Sequence, residues 1–289
     1  MKRLSVVGAI RFAYVFVFEQ IGAIIGLVWL PLVFVAILQF LPYAIGTAYP
    51  GTDPSKEGGA AALNLTFFMA AFLLYAMNCV AVTRQALGLR QGAASLHFSL
   101  GWPEWKMFAA IIICLLLLGA TIGIYARIGA VISVAAGRMP GLAIAAEAYT
   151  ILGLCGVVWL ALRLFFLLPP IVVVEERVDF LRAWLVSRGN AWRILVVMLA
   201  VIVPIVVIQA AAIVLIVGPG VFAPLPASAE AMNVALQARI GLIDRHMASI
   251  IGLTLVLAPF SLGLTLGASA YAYRSLAADR LASKAAPPQ

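Results

Sequence analysis

The sequence carries very little charge, since Asp, Glu, Lys and Arg together make up 10% of its 289 residues. Soluble globular domains have about 25% charged and roughly 45–50% apolar residues. This chain is 65% hydrophobic and has a mean hydropathy of +1.11. The composition excludes a soluble class, and no polar stretch is long enough for a separate soluble domain. We therefore expect a protein that lies within a membrane.

Residues for metal, disulfide and catalytic chemistry are also scarce. There are two histidines and three cysteines. Cys79, Cys114 and Cys155 each lie inside an apolar run, which predicts three buried small hydrophobic side chains. No CxxC pair is present, and neither a serine-nucleophile, zinc-protease, P-loop nor dinucleotide-binding motif occurs. We expect no disulfide, no metal, no cofactor and no catalytic residue.

The net charge of +8 lies in short patches beside apolar runs, which indicates anionic lipid rather than nucleic acid as the counter-charge. Thirteen Lys and Arg residues fall in the N-terminal segment, the second and fourth loops and the C-terminus, against five in the other loops. Because cytoplasmic loops carry the excess of Lys and Arg, both termini are predicted to be cytoplasmic in a bacterial inner membrane.

Six charge-free runs are each long enough for a spanning helix, which needs about 20 residues. They are 21–52, 58–83, 107–126, 148–162 joined to 164–174, 194–229 and 247–273. They predict an all-α fold with one six-helix domain over 1–280 and a disordered cytoplasmic tail over 281–289. The first 20 residues are interrupted by Arg11 and lack a cleavage site, so we interpret them as an interfacial segment rather than a signal peptide. A short amphipathic helix is expected in the loop 219–249.

A basic, tryptophan-bearing elbow, RAWLVSRGNAWRIL, covers 182–195. Apolar residues of 178–188 share one helical face, which predicts a short helix in the headgroup plane. Gly189 is expected to end it in the left-handed conformation, and Asn190 is a favourable N-cap for the next span. Trp192 and Arg193 would then contact the lipid interface.

An earlier loop repeats this pattern, because Ser99-x-Gly101 precedes Trp105-Lys106 as Ser187-x-Gly189 precedes Trp192-Arg193. A weaker version opens the chain. The pattern predicts three repeats, each an interfacial elbow helix followed by a two-span hairpin. The alternative is coincidence, since any inner-membrane elbow tends to contain Gly, Trp and Arg.

The stretch from Arg163 through LLPPIVVVEER (167–177) to AWLVSRGNAWRIL (183–195) resembles the membrane domain of the bacterial glycerophosphoryl diester phosphodiesterase family and related six-span proteins. The resemblance covers roughly 163–195. The family name derives from members fused to a catalytic domain. This chain contains none, so the resemblance implies no phosphodiesterase activity.

Arg163 is the ionisable residue within a predicted span and is therefore a functional candidate. If the helix ends at Pro169-Pro170, Arg163 reaches the interface; if the helix continues, it needs a partner at depth, for which Asn78 is the best placed. Glu175 and Glu176 are interpreted as a solvated acidic turn that balances nearby Arg. The candidate lipid-headgroup or intramembrane polar site consists of Arg163, Asn78, Arg182, Arg188, Trp192, Arg193, Trp105 and Lys106.

Two spans contain a Gly-x-x-x-Gly pair, Gly119 with Gly123 and Gly263 with Gly267. Both are expected to pack helices within the chain, with a dimer face as the alternative.

Three functions are open at this stage. The first is a non-enzymatic inner-membrane scaffold, lipid-associated module or partner subunit that contacts anionic phospholipid, with a protein partner or a second copy possible. The second is a transporter or lipid-translocating permease, and the third is an intramembrane enzyme.

Overall fold

The computed structural model describes residues 3–48, 57–90, 100–138, 143–224, 226 and 229–277. In these ranges the chain is helical and contains no strand. The helices are α1 (Val6–Ala48), α2 (Glu57–Ala86), α3 (Trp102–Arg138), α4 (Ala143–Phe165), α5 (Leu168–Glu175), α6 (Phe180–Ser187), α7 (Ala191–Val217), α8 (Ala229–Arg245) and α9 (Met247–Leu276).

Six helical segments are long and apolar enough to cross a membrane, as expected for a multi-pass membrane protein. They are Val6–Leu38, Ala62–Ala86, Trp102–Ile132, Ile151–Glu175, Ala191–Val217 and Met247–Leu276. The all-α class and the six spans predicted from the sequence are confirmed. The helix expected in the loop 219–249 is also present as α8.

The first span differs from the prediction at its start. Helix α1 has 43 residues, a length of roughly 65 Å, which is about twice the thickness of the hydrocarbon core. It consists of two helices that meet at Gln20, where φ is −118° and ψ is 18°. Gln85 Nε2 donates to Gln20 Oε1 at 2.7 Å, which ties this break to the end of α2. The break falls one residue before the predicted start of the span.

Five helices contact one another in a closed ring, in the order α2, α3, α4, α7, α9 and back to α2. Helix α1 packs against α9, α2 and α7 of this ring. The short helix α5 contacts α2, α3, α4, α6 and α9, and all its residues from Leu168 to Val174 are buried. An apolar helix that is buried all round lies inside a protein core. Helix α5 therefore fills one end of the ring.

The core occupies one half of the bundle. The buried residues of α2 and α9 lie in their C-terminal halves, and those of α3 and α7 lie in their first turns. These four helix ends lead into the Lys- and Arg-rich segments predicted to be cytoplasmic. The opposite halves expose many large hydrophobic side chains, such as Leu116, Ile124, Leu152 and Val207, which is the surface expected against lipid.

The two Gly-x-x-x-Gly pairs behave differently. A Cβ added at Gly263 would come within 2.7 Å of Val17 Cγ2, and one at Gly267 within 2.9 Å of Phe16 Cδ1. This pair lets α9 pack against α1, as predicted. No atom of the described residues lies within 4 Å of a Cβ added at Gly119 or Gly123, so in the described part of the chain the expectation that this pair packs internally is wrong. Its face on α3 is open.

The predicted elbow at 178–188 contains the short helix α6. Asp179 is its N-cap and accepts from the Arg182 amide at 2.7 Å. Gly189 has the expected positive φ, 78°. The earlier copy of the motif includes Ser99, which lies outside the described residues, as does the tail 281–289. The placement of elbow helices in the lipid interface and the threefold repeat stay predictions.

Candidate functional site

Arg163 lies in the last turn of α4, just before a break in the chain's helical course. Helix α4 ends at Phe165, and α5 begins at Leu168 with Pro169 and Pro170 in its first turn. Proline lacks an amide hydrogen and fixes φ, so it suits a first turn and leaves carbonyls of the preceding turn without their helical donor. Ser269 of α9 donates its hydroxyl to the carbonyl of Phe166 and satisfies one of them. The prolines thus begin a new helix instead of kinking a continuous one.

The guanidinium of Arg163 is enclosed by the elbow helix α6. Its Nε donates to Ser187 Oγ at 3.0 Å and its Nη2 donates to the Trp184 carbonyl at 3.2 Å. Its Cζ lies 3.7 Å from the centroid of the Trp184 ring and 4.8 Å from that of Trp159. A cation over an indole face gains about 0.5–2 kcal/mol depending on its desolvation. Only 7% of the residue is exposed, while Nη1 makes no hydrogen bond to any described residue.

The proposed pairing of Arg163 with Asn78 is wrong. Asn78 is fully buried in α2, and neither its amide nitrogen nor its amide oxygen has a hydrogen-bond partner among the described residues. The predicted topology puts both residues in the same leaflet, but the sequence does not say which helix faces point toward each other. It also missed Ser187, Trp184 and Trp159, because these come to Arg163 only when α6 folds back against α4.

Glu175 is the centre of a polar network at the C-terminal end of α5. Its carboxylate accepts from Arg182 Nε at 3.2 Å, from Arg177 Nη2 at 3.1 Å and from the Tyr273 hydroxyl at 3.1 Å. The Glu175 side chain is 6% exposed. The expected balance with nearby Arg is therefore confirmed for Glu175, whereas the expected solvation of this residue is wrong. The network joins α5 to α6 and α9.

Glu176 follows with a φ of 54°, in the left-handed region, and ends α5. The ammonium of Lys106 in α3 donates a hydrogen bond to the carbonyl of Glu176. Its Nζ lies 5.5 Å from the Trp102 ring centroid. Lys106 was predicted as a lipid contact. The structure instead joins it to the end of α5, so α3 belongs to the same network.

Arg193 and Asn190 fasten the N-terminus. Asn190 occupies the predicted N-cap position of α7, but its side chain makes no cap hydrogen bond. Its Oδ1 accepts from the amide of Leu4 at 3.0 Å, and Arg193 Nη1 donates to the Leu4 carbonyl at 2.7 Å. We call this arrangement of Leu4, Asn190 and Arg193 the N-terminal clamp. It engages Arg193, which was predicted to meet lipid phosphate, in an internal bond.

Arg188, Trp192 and Trp105 are the predicted site residues that remain at the surface. Arg188 is exposed at the end of α6 and forms no ion pair or side-chain hydrogen bond with the described residues. Trp192 is 73% exposed and Trp105 is 45% exposed. Large exposed indoles of this kind are typical of the membrane interface.

An apolar groove of about 530 Å³ lies between α4 and α7. It is lined by Leu154, Cys155, Gly156, Val158, Trp159, Trp192 and Leu195. Cys79 and Cys114 are buried as predicted, whereas Cys155 is exposed, so the expectation of burial is wrong for Cys155. Trp159 belongs both to this groove and to the enclosure of Arg163, and thereby connects the two.

The arrangement offers cationic and apolar contacts rather than a set of acid, base and nucleophile. Among the described residues, no group of three or more His, Cys, Asp and Glu side chains is placed to hold a metal ion. The site is therefore suited to holding an anion beside a hydrocarbon surface. Comparisons with protein-family models, with curated proteins and with solved structures give no match for this chain.

Proposed function

We propose that this chain is a non-enzymatic protein of the bacterial inner membrane, with both termini in the cytoplasm, that associates with anionic phospholipid as a scaffold or partner subunit. The observation that carries the proposal is a set of side chains at one end of the bundle. It comprises the exposed Arg188, which pairs with no described residue, the enclosed Arg163 and the exposed indoles of Trp105 and Trp192. Cations and indoles together match the chemistry of an anionic lipid interface.

The internal bonds of the other cations support a narrower role than the sequence indicated. Arg182, Arg193 and Lys106 hold α5, the N-terminus and α3 in place. The exposed headgroup contact is therefore assigned to Arg188, and Arg163 is added because its Nη1 makes no hydrogen bond to a described residue. The resemblance of 163–195 to the phosphodiesterase-associated membrane domains supports a membrane role without hydrolysis, since those members hydrolyse with a separate catalytic domain.

Native mass spectrometry of the protein extracted with its own lipids tests this function. We expect anionic phospholipid to remain bound in excess of its share of the membrane, and the same spectra report a second copy or a protein partner. Retained lipid with the composition of the bulk membrane would contradict the proposal.

A second candidate function is a permease for an anionic solute or a lipid. It is favoured by the interrupted α4–α5 span, whose second part lies inside the helix ring, since transporters often place their sites at broken helices. Flux or lipid scrambling in liposomes, compared between the wild type and Arg163→Ala, tests it. Absence of protein-dependent flux in the wild type would refute it.

A further inference from the structure

The groove between α4 and α7 is lined by Trp159, whose ring lies against Arg163, and Arg188 follows the residue that binds Arg163 Nε. From this geometry we propose that the groove binds one anionic phospholipid. An acyl chain lies in the groove, and the lipid phosphate accepts hydrogen bonds from Arg188 and Arg163. The inference rests on the proposed function, because it gives the lipid association a particular site and a stoichiometry of one.

The groove suits a hydrocarbon chain by size and by lining. Its volume of about 530 Å³ falls within the range of roughly 300–1,000 Å³ that is usual for small-molecule sites. Its lining residues are apolar or aromatic apart from the Cys155 thiol and the indole N–H groups. The groove is open at Gly156, because a Cβ added there would meet no described atom within 4 Å.

The positive charge beside the groove favours the binding of an anion. Trp159 lines the groove, and its ring centroid lies 4.8 Å from Arg163 Cζ. Arg188 follows Ser187, the residue whose hydroxyl accepts a hydrogen bond from Arg163 Nε, and stands at the C-terminal end of α6. Neither arginine forms an ion pair with a described residue, whereas Arg182 pairs with Glu175. Two neighbouring like charges repel, and a phosphate that bridges them removes this cost.

The neighbourhood favours a lipid phosphate over a free one. Arg163 is 7% exposed and the rings of Trp159 and Trp184 lie against its cation, so Nη1, which makes no hydrogen bond to a described residue, is the donor left for a phosphate. A free phosphate would leave the adjoining apolar groove empty, whereas a phospholipid fills the groove and reaches the cations with one molecule.

Titration of the lipid-depleted protein in neutral detergent tests the site. Phosphatidylglycerol and phosphatidylcholine with the same acyl chains are the probes, and native mass spectrometry counts the bound molecules. We expect one tightly bound phosphatidylglycerol. Arg188→Gln removes a charge-assisted hydrogen bond and is expected to weaken this binding about ten-fold. Gly156→Phe fills the groove and is expected to weaken binding of both lipids.

Two matched controls separate the site from general effects. Arg11→Gln removes a charge from another exposed arginine on the same predicted side of the membrane. Gly119→Phe adds the same ring at a helical glycine whose surroundings are equally open. Both controls are expected to bind phosphatidylglycerol like the wild type. Circular dichroism and gel filtration verify the fold, and Arg188→Gln, at an exposed position, tests the site independently of Gly156→Phe.

The outcomes distinguish this inference from the function on which it rests. If the wild type prefers phosphatidylglycerol but Arg188→Gln and Gly156→Phe bind it like their controls, the lipid binds elsewhere and the site is wrong. A free anion is the occupant if two results are found together. Arg188→Gln weakens the binding of inorganic phosphate as much as that of phosphatidylglycerol, and Gly156→Phe leaves the affinity for phosphatidylglycerol unchanged. This outcome overturns the lipid assignment. If the wild type binds both lipids equally, the proposed function itself fails.

Discussion

Replacing Glu175 by Gln is expected to destabilise the protein more than the loss of any one exposed ion pair. The Glu175 side chain is 6% exposed and pairs with Arg182, which is 30% exposed, and with Arg177, which is 55% exposed. Removing one partner of a fully buried pair costs about 3–5 kcal/mol, and water at the arginines reduces this. Because Gln keeps an acceptor for Tyr273, we expect a loss of about 2 kcal/mol.

Unfolding by SDS titration in mixed micelles measures this loss as a difference in free energy. Glu19→Gln is the matched control, because Glu19 is exposed in α1 and forms no ion pair with the described residues; its effect should stay within about 0.5 kcal/mol. A double-mutant cycle with Arg182→Gln should give a coupling of about 1–2 kcal/mol. Equal effects of Glu175→Gln and Glu19→Gln, or additivity in the cycle, would refute the reasoning that this network holds α5.

Three further predictions concern the packing and orientation of the chain. Asn190→Ala removes the acceptor of a buried amide in the N-terminal clamp, so hydrogen exchange at the start of α1 should accelerate; unchanged protection there would contradict the clamp. Gly263→Leu forces α9 away from α1 and should cost about 1–3 kcal/mol of unfolding free energy, whereas Gly119→Leu should be nearly neutral, and equal effects would oppose the packing described. In a cysteine-free background, Arg177→Cys should react with a membrane-impermeant maleimide only after lysis. Glu230→Cys should react with the same reagent in intact spheroplasts. The reverse pattern would show that the predicted topology is inverted.

The spans were predictable because a single physical requirement determines them. Backbone polar groups in lipid must be satisfied within the segment, so an apolar run of sufficient length predicts a helix without knowledge of its neighbours. Gly189 was predictable for a similarly local reason, since the turn between α6 and α7 needs a positive φ, 78° here. Helix ends were less accurate: the run 194–229 ends as a helix at Val217, where Gly218 takes a φ of 101°.

The polar contacts were not predictable, because each depends on an element distant along the chain. Arg163 was identified as important, yet its partners come from α6, more than twenty residues later. The local sequence predicts a solvated Glu175 beside Glu176 and Arg177. The side chain is enclosed because α6 and α9 bring Arg182 and Tyr273 against it. Asn190 has the residue type of an N-cap, but the N-terminus competes for its side chain.

The attachment of α5 bears on the choice between the two candidate functions. Its first end is joined to α9 through Ser269 and the Phe166 carbonyl, and its second end is held by Glu175 and by Lys106. A permease that moves its substrate through the ring must displace α5. This displacement costs the free energy of breaking the hydrogen bonds and ion pairs of Glu175. If α5 is such a gate, Glu175→Gln should raise flux in liposomes while it lowers stability. If α5 is a fixed plug, Glu175→Gln should lower stability and leave flux at the level of protein-free vesicles, which is the outcome that the lipid-associated function requires.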